Sequence, residues 1–170
     1  MKEILSKLVA GNNLTKEEAM RAQEMILSGK ATQAQIACFL TALRMKGETL
    51  DEITGLAIVL RDKANTISPK VDNYVDFVGT GGDCTYSFNI STTASLIIAA
   101  AGVPVAKHGN RAASSRSGAA DCLEALGVNI SLEPEAAEKL LNEADICFLF
   151  AQKYHTAMKY VGSIRKELGI

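Results

Sequence analysis

The sequence predicts an α/β chain in two parts: a small N-terminal helical bundle over residues 1–65 and a parallel-sheet α/β domain over residues 74–170. Three observations carry this reading. Helix-start signals repeat three times in the first third of the chain. After "ISPKVDN", short β-rich runs alternate with helical ones, as βαβ crossovers require. The first of those β-rich runs ends in a cluster of glycines and hydroxyl side chains, "FVGTGGDCTYSFNIST".

In the first part, Thr15-x-x-Glu18, Thr32-x-x-Gln35 and Thr49-x-x-Glu52 each read as a capping box. Gly29 and Gly47 fall where the helices between them should stop. Ile36, Phe39, Leu40 and Leu43 follow the i, i+3, i+4, i+7 spacing of one buried face, as do Ile53, Leu56, Ala57 and Leu60. The acidic neighbours at 17–18 and 51–52 read as exposed helix faces. The bundle itself is expected to serve packing or subunit contact, with no chemistry visible. Residues 64–73 read as a linker.

In the second part, strands are expected at Val75–Val78, Val103–Ala106, Val128–Ile130 and Ile146–Phe150. Helices are expected at Ser91–Ala101, Ser117–Leu126 and Pro134–Ala144, with shorter pieces near 154–160 and 163–168.

Composition removes several classes of function. The 170 residues are 48% hydrophobic and 22% charged, with a formal net charge of −1, so no basic excess favours nucleic acid or an acidic membrane surface. Aromatics are sparse and Trp is absent, which argues against a base-stacking surface. "ASLIIAAAGVPVA" is interrupted by Gly and Pro and is too short to span a bilayer, and the N-terminus lacks a signal-type apolar core. Cytosol is the expected compartment. The cysteines at 38, 84, 122 and 147 form no C-x-x-C pair and only two His are present, so zinc is not expected. Cys38, Cys122 and Cys147 read as small buried hydrophobes, and Cys84 lies inside the glycine loop.

That loop sits at a strand end and a helix start, where free amides and the helix dipole attract an anion. Gly79, Gly81 and Gly82 would let the backbone approach phosphate oxygens. Ser91, Thr92 and Thr93 would cap the helix, touch an anion, or both; an ordinary tight turn capped by Ser91 is the plain alternative. The loop matches neither the dinucleotide fingerprint nor a Walker A pattern. A second polar stretch, "AKHGNRAASSRSGAAD", follows the strand that ends near Lys107 and holds three cations and no acid between 107 and 116. In a parallel sheet both loops leave C-terminal strand ends and share one rim, which suggests a ligand with two separate phosphates. His108, beside a cationic Lys, reads as a hydrogen-bonding or stacking residue rather than a general base, and no catalytic residue is assigned.

"GTGGD…FNIST", "AKHGNR…SS.SG.AD.LEALG" and "FLFA..YH.AMK…R.ELGI" closely resemble anthranilate phosphoribosyltransferase, in order along the whole chain. The resemblance implies a domain of the nucleoside phosphorylase/phosphoribosyltransferase type. It also implies transfer of phosphoribose from 5-phosphoribosyl diphosphate (PRPP) to the anthranilate amine with Mg²⁺, and a homodimer formed through the helical lobe. By the same resemblance Gly79, Gly82, Asp83, Ser87, Asn89, Ile90, Ser91 and Thr92 would hold PRPP, with Ser91 also touching magnesium. Lys107, His108, Gly109, Asn110, Arg111, Ala112, Ala113, Ser114 and Ser115, with Ala119, would complete that site. Gly79, Asn110 and Arg165 would contact anthranilate. The family runs to roughly twice this length, so the sequence is expected to be an N-terminal half with a truncated sheet, without the acidic pair that binds most of the magnesium. A pyrimidine nucleoside phosphorylase-like enzyme and a non-catalytic phosphate-binding or dimerisation module are the rival readings.

Overall fold

The computed structural model describes residues 1–79, 88–112 and 117–169. They form two compact units, Met1–Ala64 with His155–Ile170, and Asn65–Tyr154. From His155 on, the chain packs with the helices of the first unit.

In the first unit, α1 (Lys2–Val9), α2 (Lys16–Leu27), α3 (Gln33–Lys46) and α4 (Leu50–Asp62) are joined by short turns. The helices α2, α3 and α4 each begin with a complete capping box, on Thr15 and Glu18, Thr32 and Gln35, and Thr49 and Glu52. In each, side-chain oxygens satisfy amides that a helix start leaves open. Gly47 ends α3 with a φ of 84°, a conformation that a side chain would resist. Ile36, Phe39 and Leu43 are buried as the spacing requires.

The α4 face differs from expectation. It buries Glu52, Gly55 and Val59, while Ile53 is 54% exposed. Close approach explains the change: a Cβ on Gly55 would lie 2.5 Å from the Lys16 carbonyl oxygen and 3.1 Å from the Ala19 Cβ. The helix turns its smallest residue toward α2, and Glu52 goes inward with it. After a 3₁₀ turn at Thr156–Met158, α9 (Lys159–Leu168) adds Val161 and Ile164 to the core of Leu8, Ile26, Phe39 and Val59.

The second unit is built on two parallel strands, β1 (Val105–Gly109) and β2 (Ile146–Phe150), paired from Val105↔Ile146 to Gly109↔Phe150. Between them come α6 (Ala119–Ala125) and α7 (Pro134–Ala144); α5 (Ile90–Ala100) precedes β1 and the single turn α8 (Ala151–Tyr154) follows β2. Period-two alternation sorts the side chains of β2. Cys147 and Leu149 pack with Ala137, Leu141 and Tyr154 on one face. Phe148 and Phe150 pack with Ala120, Leu123 and Ile130 on the other. The segment expected to be a linker is stitched to α7, with the Ser68 and Lys70 amides donating to Glu138 and Asn142 at 2.8 Å each.

Four strands were expected and, among the described residues, two form. At 75–78 only Val75 pairs, in a parallel bridge with Val105. Val103 and Pro104 precede β1 rather than begin it, because the Val103 amide is used to close α5 on the Ile98 carbonyl at 3.2 Å and proline has no N–H. Residues 128–130 carry no strand, and Ile130 contributes only its side chain, buried under Phe148 and Phe150. Of the cysteines described, Cys147 is buried, whereas Cys38 and Cys122 are half-buried.

Candidate functional site

Several of the predicted residues that the structure describes lie on β1 and at the rim of its C-terminal end. Val75 runs beside β1, its amide donating to Pro104 and its carbonyl accepting from Ala106, both at 2.9 Å. One step further along, side chains replace the backbone ladder. The His108 amide donates to the Asp76 carboxylate at 3.0 Å, and the Lys107 ammonium donates to the Phe77 carbonyl. Gly79 is exposed two residues beyond that carbonyl. The start of the glycine loop is thus tied directly to Lys107, which lies in the middle of β1 rather than at the strand end where it was expected.

Lys107 is only 3% exposed. Burial pushes its ammonium below the ordinary lysine value, and the charge of Asp76 works against that shift. A buried ammonium with one carbonyl partner retains donor capacity for an incoming anion.

The N-terminal turn of α5 belongs to the same unit. Asn89 is its cap, accepting from the Thr92 amide at 3.3 Å, so the helix begins one residue earlier than expected and Ser91 is not the cap. Thr93 donates to the Asn89 carbonyl at 3.0 Å, and the carbonyl of half-buried Ser91 accepts from Ser95 at 2.7 Å. The Thr92 hydroxyl is buried with no hydrogen-bond partner among the described residues, in a side chain 2% exposed. Thr92, Ser95, Lys107 and Phe148 border one small cavity of about 110 Å³. Ile90 points outward, 56% exposed.

The second polar loop is fastened at its base. Gly109 fits because a Cβ there would meet the Phe148 ring at 2.8 Å and Ala119 at 3.0 Å. Asn110 accepts from Ala120 through its carbonyl at 3.2 Å. The Arg111 guanidinium reaches Glu124 with two bonds of 2.8 and 3.1 Å and Asp121 with one of 3.0 Å, and it lies over the Phe150 ring at 5.8 Å. These carboxylates raise the Arg111 pKa, Glu124 foremost. Asp121 also accepts from the Ala112 and Gly118 amides, which with Arg111 hold its carboxyl below the usual value. Asp76, Asp121 and Glu124 were not among the residues singled out in the sequence. The signal available was weak, an acid inside an apolar run for Asp76 and an acid in a helix's first turn for Asp121.

Gly82, Asp83, Ser87, Ala113, Ser114 and Ser115 lie outside the described residues, as does Cys84. Arg165 is on α9 and belongs to the first unit, whereas the β1 rim belongs to the second.

Comparison with known proteins bears on both parts of the chain. Residues 2–64 match the helical bundle domain of the glycosyl transferase family, and residues 71–170 match the same family's a/b domain. The chain belongs to this family. Among glycosyl transferase relatives, the anthranilate phosphoribosyltransferase of Endomicrobium trichonymphae is 54% identical over 170 residues, covering 100% of this chain and 50% of that protein. The solved structure of the Thermus thermophilus anthranilate phosphoribosyltransferase is similar with a TM-score of 0.88 at 42% identity, over 98% of this chain and 51% of that one. That of the Saccharomyces cerevisiae enzyme, in complex with PRPP and Mg, gives a TM-score of 0.89 at 29% identity, over 99% and 51%. The chain spans about half the length of the curated relatives it matches.

Proposed function

We propose that this chain binds PRPP at the β1 rim and serves the transfer of its phosphoribosyl group to the anthranilate amine. The products are N-(5-phosphoribosyl)anthranilate and pyrophosphate, in tryptophan biosynthesis in the cytoplasm. The observation that carries this reading is the buried ammonium of Lys107, held by the Phe77 carbonyl where the glycine loop begins. Beside it, the first turn of α5 brings the positive end of its helix dipole and the Thr92 hydroxyl, which has no partner among the described residues. Such a grouping suits one diphosphate.

The chemistry asks little acid-base work of the protein. As the C1–O bond of PRPP breaks, positive charge grows on the sugar and negative charge on the departing diphosphate. Lys107 and the α5 dipole stabilise the latter. The weakly basic aniline nitrogen attacks C1 once it is positioned, and its proton passes to solvent. For the acceptor, Arg165 offers a guanidinium, whose fork matches a benzoate carboxylate.

Magnesium fits only as a shared ion. Ser91 supplies one neutral hydroxyl, and no three His, Cys, Asp or Glu converge among the described residues. Most of the six oxygens that Mg²⁺ requires would come from the ligand's diphosphate and water. When bound, the ion would neutralise charge on the leaving group. This same donor set favours a second reading, in which the isolated chain binds PRPP with negligible turnover.

A homodimer through the helical unit is part of the proposal. A groove of about 520 Å³ lies along α1 and α3, lined by Leu8, Val9, Ala37, Cys38, Ala42 and Met45. Val9 is 69% and Met45 83% exposed, an apolar surface suited to a second copy.

The test is calorimetric titration of the chain with PRPP and Mg²⁺, followed by an anthranilate fluorescence assay. Lys107→Ala should weaken PRPP roughly 10- to 100-fold, the loss of one charge-assisted hydrogen bond, with its fold retained. Binding without turnover selects the second reading. Absence of PRPP binding by the native chain, or equal affinity in the variant, overturns the assignment of the rim.

A further inference from the structure

We propose that Asp121 is a positioning residue for the anion-binding rim, and that Arg111 is its anchor rather than a phosphate ligand. The proposal rests on the PRPP reading above and deepens it.

Oδ2 of Asp121 accepts from both the Ala112 and Gly118 amides, at 2.9 Å each. These amides stand on either side of residues 113–116 in the sequence, so a single oxygen fixes the backbone where it leaves and where it returns. Gly118 records how tightly the two ends meet. A Cβ there would lie 2.3 Å from the Ala112 nitrogen, 2.6 Å from the Arg111 carbonyl carbon and 2.8 Å from the Asn110 oxygen. Those neighbours are all backbone and have no rotamer by which to withdraw.

The other oxygen of Asp121, Oδ1, receives Arg111, which Glu124 also grips with two bonds. The guanidinium therefore has three bonds to carboxylates and the Phe150 ring beneath it. Three of its five N–H donors are thereby committed, and the two carboxylates offset its charge toward an incoming phosphate. Lys107 has no competing carboxylate bond among the described residues: its partner is a neutral carbonyl. Of the two cations described on this rim, Lys107 is thus the one free to meet an anion. Arg111 locks α6 to the backbone that follows β1, which carries Asn110 and continues directly from Lys107 and His108 in the strand.

Asp121 acts through geometry and not through contact with PRPP, so its loss should lower affinity without unfolding the unit. The two amides it serves are near the surface, where water can replace a lost acceptor. Misplacing binding groups by about 1 Å costs on the order of a hundredfold in favourable cases. Asp121→Ala is expected to weaken PRPP by roughly 10- to 100-fold, with a melting midpoint within about 4 °C of native. Exchange of the Ala112 and Gly118 amides should accelerate. Asp121→Asn keeps one oxygen able to accept from both amides, and should recover most of the affinity and the exchange protection. Glu124→Gln should have a small effect of the same kind.

Calorimetry with PRPP and Mg²⁺ on these variants, beside hydrogen exchange read by NMR, decides the matter. Native-like affinity in Asp121→Ala, or a fall in melting midpoint large enough to account for the lost affinity, overturns the positioning role. So does Asp121→Asn behaving like Asp121→Ala. If the native chain itself does not bind PRPP, the functional reading fails first and takes this proposal with it. Binding by the native chain that is indifferent to Asp121 removes the proposal alone.

Discussion

Replacing Glu52 should be among the most damaging single changes in the helical unit, even though a carboxylate in a helix's first turn usually faces water. Its side chain is fully buried. It accepts from the Leu14 amide at 2.8 Å, the Thr49 amide at 2.8 Å and the Lys46 ammonium at 2.9 Å. Lys46 in turn reaches Asn13 and the Gly47 carbonyl. One carboxylate therefore joins the turn between α1 and α2 to the turn between α3 and α4. Burial alone would raise its pKa, but the Leu14 amide, Lys46 and Thr49 outweigh that and hold the carboxyl below its ordinary value near 4.5. Truncation to Ala leaves Lys46, itself 7% exposed, without its counter-charge and two amides without an acceptor. Breaking a buried pair from one side costs about 3–5 kcal/mol.

For a chain of this length that corresponds to a fall in melting midpoint of roughly 6–20 °C for Glu52→Ala, followed by far-UV circular dichroism. Glu52→Gln separates charge from hydrogen bonding, since it keeps an acceptor for Leu14 but turns an amide donor toward Lys46 or Thr49. Its cost should be smaller. The pH dependence has a fixed sign. A carboxyl whose folded pKa is depressed contributes stability that is fully present above its unfolded value and lost as pH falls through the folded one. The stability gap between the native chain and Glu52→Gln should therefore be constant at neutral pH and shrink below about pH 4.5. A loss under about 1 kcal/mol for Glu52→Ala, or a gap indifferent to acid, would refute the reasoning.

Two further changes test packing. Gly55→Ala should destabilise by about 1–3 kcal/mol in urea titrations, because the new methyl meets the Lys16 carbonyl and only a shift of α2 against α4 can relieve it. Tyr154→Phe should be neutral or stabilising by about 1 kcal/mol, since the Tyr154 hydroxyl is buried without a hydrogen-bond partner among the described residues and its pKa is pushed up to about 12 by burial. A clear loss of stability in Tyr154→Phe would reveal a partner for that hydroxyl.

The parts of the fold that were legible in the sequence are those governed by local rules. The three Thr-led capping boxes act within four residues, and all three form where the pattern places them. Pro134–Ala144 begins with its proline and ends as expected, with Asp145 in a left-handed conformation just past the end. What misled the reading was tertiary. Ile53 and Ala57 have helical spacing, yet the α4 face is chosen by how near Gly55 lets the Lys16 backbone come. Apolar composition likewise marked 75–78 and 128–130 as strands, but a strand exists only where a neighbour accepts its ladder.

The rim shows the same division from the side of function. The glycine, hydroxyl and lysine positions proposed for the rim stood out in the sequence because an anion site would draw on residue types that are costly elsewhere. The acids that shape it could not, since Asp76 and Asp121 bond to backbone amides across 32 and 9 residues, and nothing in local spacing marks such a partner. Their effect on the cations is opposite and decides which is available. Asp121 and Glu124 hold Arg111 in an exposed clamp, whereas Asp76 bonds the His108 amide and acts on the Lys107 ammonium only through its field. A chain that needed merely positive charge at this edge could use either residue. Lys107 is buried on a neutral carbonyl and Arg111 is bound to two acids, so of the two cations described on this rim Lys107 is the one without a carboxylate bond, and the proposed roles of Lys107 and Asp121 follow from that difference.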